Sequence, residues 1–133
     1  MNAAPVRCSW APLRAVPHPH LGDAVNVGVV LHARTAEYLG LRVITDEAWL
    51  AERVPDADVP LLARYLRSCQ AICRGDASAG PVALHPPSER FHWITAPRSD
   101  VLQPGPVQEG RCADPPGELE RLFRRLVEEG GAA

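Results

Sequence analysis

Apolar residues near the start of the chain follow the spacing of β-strands. The run VNVGVVLHA at residues 25–33 is β-branched and almost continuously apolar, which is typical of a strand buried on both faces. Residues 6–16 predict a strand before it that is interrupted at Pro12 and lies toward the edge of the sheet. Residues 38–45 predict a third strand. Because the connection after the second strand is too short for a crossover helix, we expect an antiparallel sheet. Gly28 indicates a bulge or the close approach of a neighbouring group.

Farther along the chain the apolar spacing changes to that of amphipathic helices. Residues 59–74 carry one apolar stripe with arginines on the opposite side, and Gly75 is a helix stop. Asp46 is a helix cap for a short helix that ends at Arg53. The last segment begins at Asp114, a cap followed by two prolines, and its apolar residues recur at the i, i+3, i+4, i+7 and i+8 positions. These apolar residues are Leu119, Leu122, Phe123, Leu126 and Val127.

The segment between these helices is less regular. Residues 91–95 fit either a strand or the last turns of a short helix that starts near Pro86 and Pro87, and we prefer the helix. Residues 101–112 fit at most an irregular or edge strand, because two prolines flank a glycine there. Together the elements predict an α+β fold with a small antiparallel sheet packed on one side by three to four helices.

Length, composition and charge exclude several classes of protein. The 133 residues suffice for one core, so we expect a single domain over residues 1–133 with flexible ends at about 1–5 and 130–133. The net charge of −2 offers no basic field, and we therefore expect no nucleic-acid partner. All 14 basic residues are arginine, which excludes mechanisms that need a Schiff-base or P-loop lysine.

The chain also lacks the patterns of a membrane or exported protein. No apolar run reaches the roughly 18 residues of a membrane span, and the first residues do not resemble a signal peptide. We expect a cytoplasmic protein with no membrane partner, in which the cysteines stay reduced. Cys69 and Cys73 lie four residues apart in a predicted helix, which favours two core-facing side chains over a redox pair.

Two histidines before the second strand raise the question of a metal site. His18 and His20 lie on the same side of an extended segment, and Asp23 would add a carboxylate of the type that divalent metals accept. The alternative is a solvent-exposed turn, since a single His-x-His in a proline-rich turn has low specificity. We prefer the turn and predict no metal and no cofactor, with His18 and His20 as the weak candidates.

A second group of residues could bind an anion. Asp23 and Asn26 flank the start of the buried strand, and Arg98 in the stretch TAPRSD could supply a planar guanidinium for a carboxylate or phosphate, with Ser99 beside it. In the structural alternative, Asp23 and Asn26 bond backbone groups in the turn, and Arg98 pairs with Asp23 or with carboxylates of the last helix. Both interpretations remain open at this point.

No set of residues in the sequence predicts catalysis. Neither Cys8 nor Cys112 lies in a recognised nucleophile motif. The arginines of the last helix alternate with glutamates, which is typical of a solvated helix face that pairs its own charges. The sequence therefore favours a non-enzymatic role.

Three stretches of the chain resemble one family. GDAVNVGVVLHA, TAPRSD and DPPGELERLFRRLV occur in the order and spacing of the bacterial domain-of-unknown-function 3037 family, from about residue 7 to residue 127. The residues that match its pattern are Gly22, Asn26, Gly28, Pro97, Arg98, Ser99, Asp114, Pro115 and Phe123. Asp23 stands where the family more often has glutamate. His18 and His20 stand where it commonly has acidic or other polar residues, which argues against a metal site.

The resemblance implies a partner rather than a reaction. Members of the family are often encoded beside HipA-like kinase proteins, and this implies an accessory role. Our leading hypothesis is an accessory protein that binds another protein, such as a HipA-like kinase, through a sheet edge or a charged helix face. The alternative is a small enzyme or ligand-binding domain that uses Asp23, Asn26 and Arg98.

Overall fold

An antiparallel sheet forms the frame of the protein in this computed structural model, which describes residues 4–130. Across those residues the sheet has five strands, and their bounds are β1 Val6–Ala15, β2 Val25–Ala33, β3 Tyr38–Val43, β4 Leu102–Pro104 and β5 Gln108–Cys112. The spatial order is β3-β2-β1-β4, and β5 pairs with the other half of β1. The first three strands follow the order predicted from the sequence. The prediction of flexible ends falls partly on residues 1–3 and 131–133, which lie outside the described residues.

The long strand β1 lies inside the sheet, so its assignment as an edge-leaning strand is wrong. It pairs with β2 on one side and with β4 and β5 on the other. Pro12 remains within β1, although proline has no N–H for a ladder hydrogen bond. Gly105 lies between β4 and β5 and donates its N–H to the Pro12 carbonyl at 2.8 Å. The gap between β4 and β5 therefore lies opposite Pro12, the residue of β1 that has no N–H to donate.

A bulge in β2 decides which side chains face each side of the sheet. Leu13 pairs with Gly28 and Arg14 pairs with Asn26, so Val27 is an extra residue on β2. In a regular strand positions 26 and 29 point to opposite faces. Because of the extra residue, Asn26 and Val29 both face the same helical layer.

Gly28 is needed at this bulge for reasons of space. A Cβ atom at this position would overlap the side chain of Val43 and lie 3.0 Å from the Arg42 carbonyl oxygen. The glycine thus allows β3 to approach the bulge closely, as the sequence indicated.

Three helices cover one face of the sheet. Their bounds are α1 Glu47–Arg53, α2 Val59–Arg74 and α3 Pro87–Thr95. The carboxylates of Asp46 and Asp58 accept backbone N–H groups at the starts of α1 and α2, and Gly75 ends α2 in the left-handed conformation. The three helices bury Leu50, Leu66 and Phe91, among others, against β1 and β2. The predicted bounds of α1 and α2, the Asp46 cap and the Gly75 stop are confirmed.

The fourth helix covers the opposite face. α4 extends over Pro115–Phe123 and continues as a π-helical segment, Arg124–Glu128. All five apolar positions predicted for this helix are buried against Val29 and Leu31 of β2. The α+β fold class is confirmed, but the helices do not all lie on one side, since α4 closes the second face. Within the described residues, no helix has both the length and the apolar character needed to cross a membrane.

Candidate functional site

Asn26 serves the fold at the end of the last helix. Its side-chain Nδ2 donates to the Leu126 carbonyl at 3.1 Å, in the π-helical segment. The last carbonyls of a helix have no partner within the helix, and a buried carbonyl without a partner is costly. Asn26 is half-buried and supplies that partner across a separation of 100 residues. The bulge at Val27 turns it toward α4.

The turn before β2 holds the two histidines and Asp23. His18 Nδ1 lies 3.3 Å from Asp23 Oδ2, and the rings of His18 and His20 meet edge to face with centroids 6.1 Å apart. His20 and Asp23 are exposed to solvent. Among the described residues, no group of three or more histidine, cysteine or acidic side chains is placed to hold a metal ion.

Arg98 lies at the end of α3, on the other side of the sheet from the Asn26 side chain. Its Nη2 donates to the Trp93 carbonyl at 2.7 Å, and its guanidinium carbon lies 4.8 Å from the centroid of the Trp93 ring. Ser99 follows it and is exposed. The hydrogen bonds of Asp23, Asn26 and Arg98 thus run to His18, Leu126 and Trp93 respectively. The structure therefore does not bring the three predicted ligand-binding side chains together.

A shallow apolar groove runs along α3, and we call it the α3 groove. Its volume is about 430 Å³, and its lining residues are Val82, His85, Glu89, His92, Trp93 and Ala96. Trp93 is 41% exposed, and Leu84, which lies between two lining residues in the chain, is 69% exposed. His85 Nδ1 lies 2.8 Å from Glu89 Oε2, and both residues line the groove.

The sequence analysis missed the α3 groove, although a signal was present. Phe91 and Ile94 are three residues apart and form the buried side of α3. Trp93 falls off that stripe, so the helical pattern alone places a large aromatic side chain on the outer side.

A second surface lies where the sheet extends past the first turn of α3. We call it the polar shelf, and it is lined by Arg7, Ser9, His32, Arg34, Thr35 and Glu109, with a volume of about 340 Å³. A neighbouring depression of about 320 Å³ shares His32 and Arg34 and extends along Pro86 and Pro87. These residues are far apart in the sequence, because four of them come from β1, β2 and β5 and meet through strand pairing, while Arg34 and Thr35 follow β2.

The cysteines are poorly suited to nucleophilic chemistry. Burial raises the pKa of the Cys69 thiol to about 11. Burial, together with a hydrogen bond that the Cys8 thiol donates to Cys112, raises the pKa of Cys8 to about 11. Both thiols are therefore protonated at neutral pH, and the thiolate is the reactive form. Cys69 lies in the core as predicted, and the half-buried Cys73 thiol lies 3.7 Å from the Leu39 carbonyl.

Comparison with known proteins places the chain in one family. A search of curated proteins found no match, and a search of solved structures found none either. The family described as "Protein of unknown function (DUF3037)" matches residues 10–127, a span that contains the bulge, the α3 groove and α4 up to Val127. The match covers most of the chain and includes the three stretches that carry the resemblance, so the chain belongs to the DUF3037 family.

Proposed function

We propose that this protein is an accessory protein that binds another protein through the α3 groove. The observation that carries the proposal is the exposure of Trp93 in one mainly apolar depression. Leu84, which precedes the lining residue His85 in the chain, is also exposed, whereas Leu21 and Val107, the other large exposed apolar side chains among the described residues, lie in other parts of the chain. Single exposed apolar residues are common, whereas an exposed tryptophan that lines an apolar groove indicates an interaction site. Tryptophan is also enriched among residues that dominate binding energies.

The charges around the groove indicate what the partner must offer. Arg98 holds a permanent positive charge against Trp93, and it has further N–H donors besides the one bound to the Trp93 carbonyl. The carboxylate that lines the groove, Glu89, lies against His85. The complementary partner therefore presents an apolar side chain for the groove and a carboxylate for Arg98. The family resemblance suggests a HipA-like kinase protein as the partner to test first.

The structure offers a matched pair of leucines for the experiment. Leu84 is 69% exposed and precedes the groove residue His85 in the chain, and Leu21 is 68% exposed in the turn before β2. The purified chain is titrated by calorimetry with a purified HipA-like kinase protein from the same organism. We expect Leu84→Ser and Trp93→Ala to weaken the Kd at least about tenfold, while Leu21→Ser leaves it unchanged.

Three results would contradict the proposal. Equal effects of the two leucine variants would show that the groove is not the contact surface. Binding only between copies of the chain would make it a self-association surface. Absence of binding by the wild-type chain would remove the HipA-like kinase as partner.

The alternative of a small enzyme or ligand-binding domain at Asp23, Asn26 and Arg98 has less support. Asn26 faces α4, whereas Arg98 is held against Trp93 on the other side of the sheet. A single small molecule would have to reach both faces of the sheet to contact them.

A further inference from the structure

The polar shelf combines side chains from three neighbouring strands. Ser9 of β1 pairs directly with His32 of β2 on one side and with Glu109 of β5 on the other. Directly paired residues point to the same face of an antiparallel sheet, with Cβ atoms about 5 Å apart. This face is the one that α3 covers farther along, since His32 packs on Phe91. The three polar side chains therefore form a row just beyond the edge of the helical layer.

His32 is held in place but keeps its hydrogen-bonding groups available. Its ring stacks on the Phe91 ring with centroids 5.5 Å apart and an interplanar angle of 30°. Burial, and then the charge of Arg34, lower its pKa below the ordinary histidine value, so the ring is neutral at neutral pH. A neutral imidazole has one N–H donor and one acceptor. Within residues 4–130, no protein hydrogen bond is made by the side chains of His32, Ser9 or Arg34.

Two guanidinium groups line the same depression. Arg34 follows the end of β2, and Arg7 lies two residues before Ser9, on the same face of β1. The carboxylate in this depression, Glu109, is 3.8 Å from Arg7, and both side chains are more than two-thirds exposed. Such a loose surface pair contributes little and gives way readily to a stronger anion. The planar guanidinium matches the geometry of phosphate oxygens, and hydroxyl groups supply further donors.

We propose that the polar shelf binds a phosphate monoester whose organic part carries hydroxyl groups. Arg34 and Arg7 hold the phosphate oxygens, and the Ser9 hydroxyl and the N–H of His32 donate to them. The organic part extends into the neighbouring depression along Pro86 and Pro87, where Glu37 and Ser88 accept hydrogen bonds from its hydroxyl groups. This ligand site is separate from the α3 groove and does not depend on partner binding there.

Calorimetric titration of the full chain tests the site, with glycerol phosphate and inorganic phosphate as separate probes at constant ionic strength. We expect saturable binding of glycerol phosphate that is tighter than binding of inorganic phosphate. Arg34→Gln is expected to weaken this binding at least about tenfold, because it removes a charge-assisted hydrogen bond. Ser9→Ala should weaken it less. Arg67→Gln serves as the matched control, since Arg67 is an exposed arginine on α2, and it should leave binding unchanged.

A second readout does not rely on heats of binding. Glycerol phosphate should shift the NMR signals of the His32 ring in the wild-type chain and in Leu84→Ser, but not in Arg34→Gln. Equal losses in Arg34→Gln and Arg67→Gln would overturn the proposal, as would a response that never saturates. Equal affinity for the two probes would contradict the proposal that the shelf recognises the organic part of the ester, and would leave inorganic phosphate as the ligand. A wild-type chain that binds neither probe would remove the site altogether.

Discussion

The helices cover the two faces of the sheet in different ways. On the α4 face the apolar side chains of Leu119, Leu122 and Leu126 are buried, and Asn26 satisfies a carbonyl at the end of the helix. The guanidinium of Arg42 lies 4.4 Å from the Phe123 ring centroid and pairs with Glu120 at 3.2 Å, which covers this face along β3. On the α3 side, an apolar groove remains open on the outer surface of the helix, and a polar shelf remains open where the sheet extends past it.

The residues that match the family pattern have different roles on the two faces. Asn26, Gly28, Pro115 and Phe123 all serve the bulge or the packing of α4. In contrast, Arg98 fixes the exposed ring of Trp93 at the α3 groove. We therefore attribute these four residues to the fold and look for function on the α3 side.

The largest expected effect comes from the closed face. Leu126→Ala would leave a cavity between α4 and β2, because the leucine is fully buried. We expect it to lower the free energy of unfolding by about 2–5 kcal/mol. Leu84→Ala is the control, and the change should stay within about 0.5 kcal/mol. Urea denaturation measures both, and similar losses in the two variants would break the contrast between the faces.

The bulge in β2 should be nearly as sensitive. Gly28→Ala places a methyl group against Val43, and we expect a loss of about 1–3 kcal/mol in the free energy of unfolding. Gly110→Ala is the matched control, because Gly110 is also in a strand but has open space around its Cβ position. An unchanged stability of Gly28→Ala would show that β3 can move away and that the glycine has another role.

The hydrogen bond from Asn26 gives a smaller effect. Asn26→Ala leaves the Leu126 carbonyl without its partner, and we expect a loss of about 1 kcal/mol in the free energy of unfolding. Gln103→Ala removes an exposed amide that donates to the Asp100 carbonyl and should cost less. If Asn26→Ala left thermal and urea stability unchanged, the structural role of Asn26 would be contradicted.

The smallest effect concerns the pH dependence of stability. The folded state lowers the pKa of His32, so the unfolded chain binds a proton more readily than the folded one. This contribution is fully present above the unfolded pKa, and stability is lost as pH falls from about 7 to about 5. His32→Gln should lose less stability over this range than the wild type. The same pH dependence in both proteins would show that His32 is not desolvated beneath α3.

Local elements could be predicted from the sequence where one signal determined them. The helix at Val59–Arg74 has a continuous apolar stripe, an aspartate cap and a terminal glycine, and its predicted bounds match the structure. The prediction that β2 is buried on both faces is confirmed, whereas the prediction that helices pack on one side of the sheet only is wrong. An amphipathic stripe shows that a helix is buried, but not which face of a sheet it covers, so the position of α4 could not be predicted.

The sites depend on pairings between distant residues, which a single sequence does not show. The role of Asn26 requires a one-residue bulge and a helix end 100 residues away. The polar shelf requires the register that aligns Ser9 with both His32 and Glu109. Trp93 could have been recognised as exposed from its place off the buried stripe of α3, whereas the groove beside it depends on the path of residues 82–85.

The central claim is that partners bind on the α3 side while the α4 face only maintains the fold. Hydrogen–deuterium exchange of the chain with and without the purified HipA-like kinase protein tests it directly. We expect slower exchange of backbone amides over residues 82–98 in the complex and unchanged exchange over residues 115–129. Slower exchange confined to residues 115–129, or no change in either segment, would contradict it.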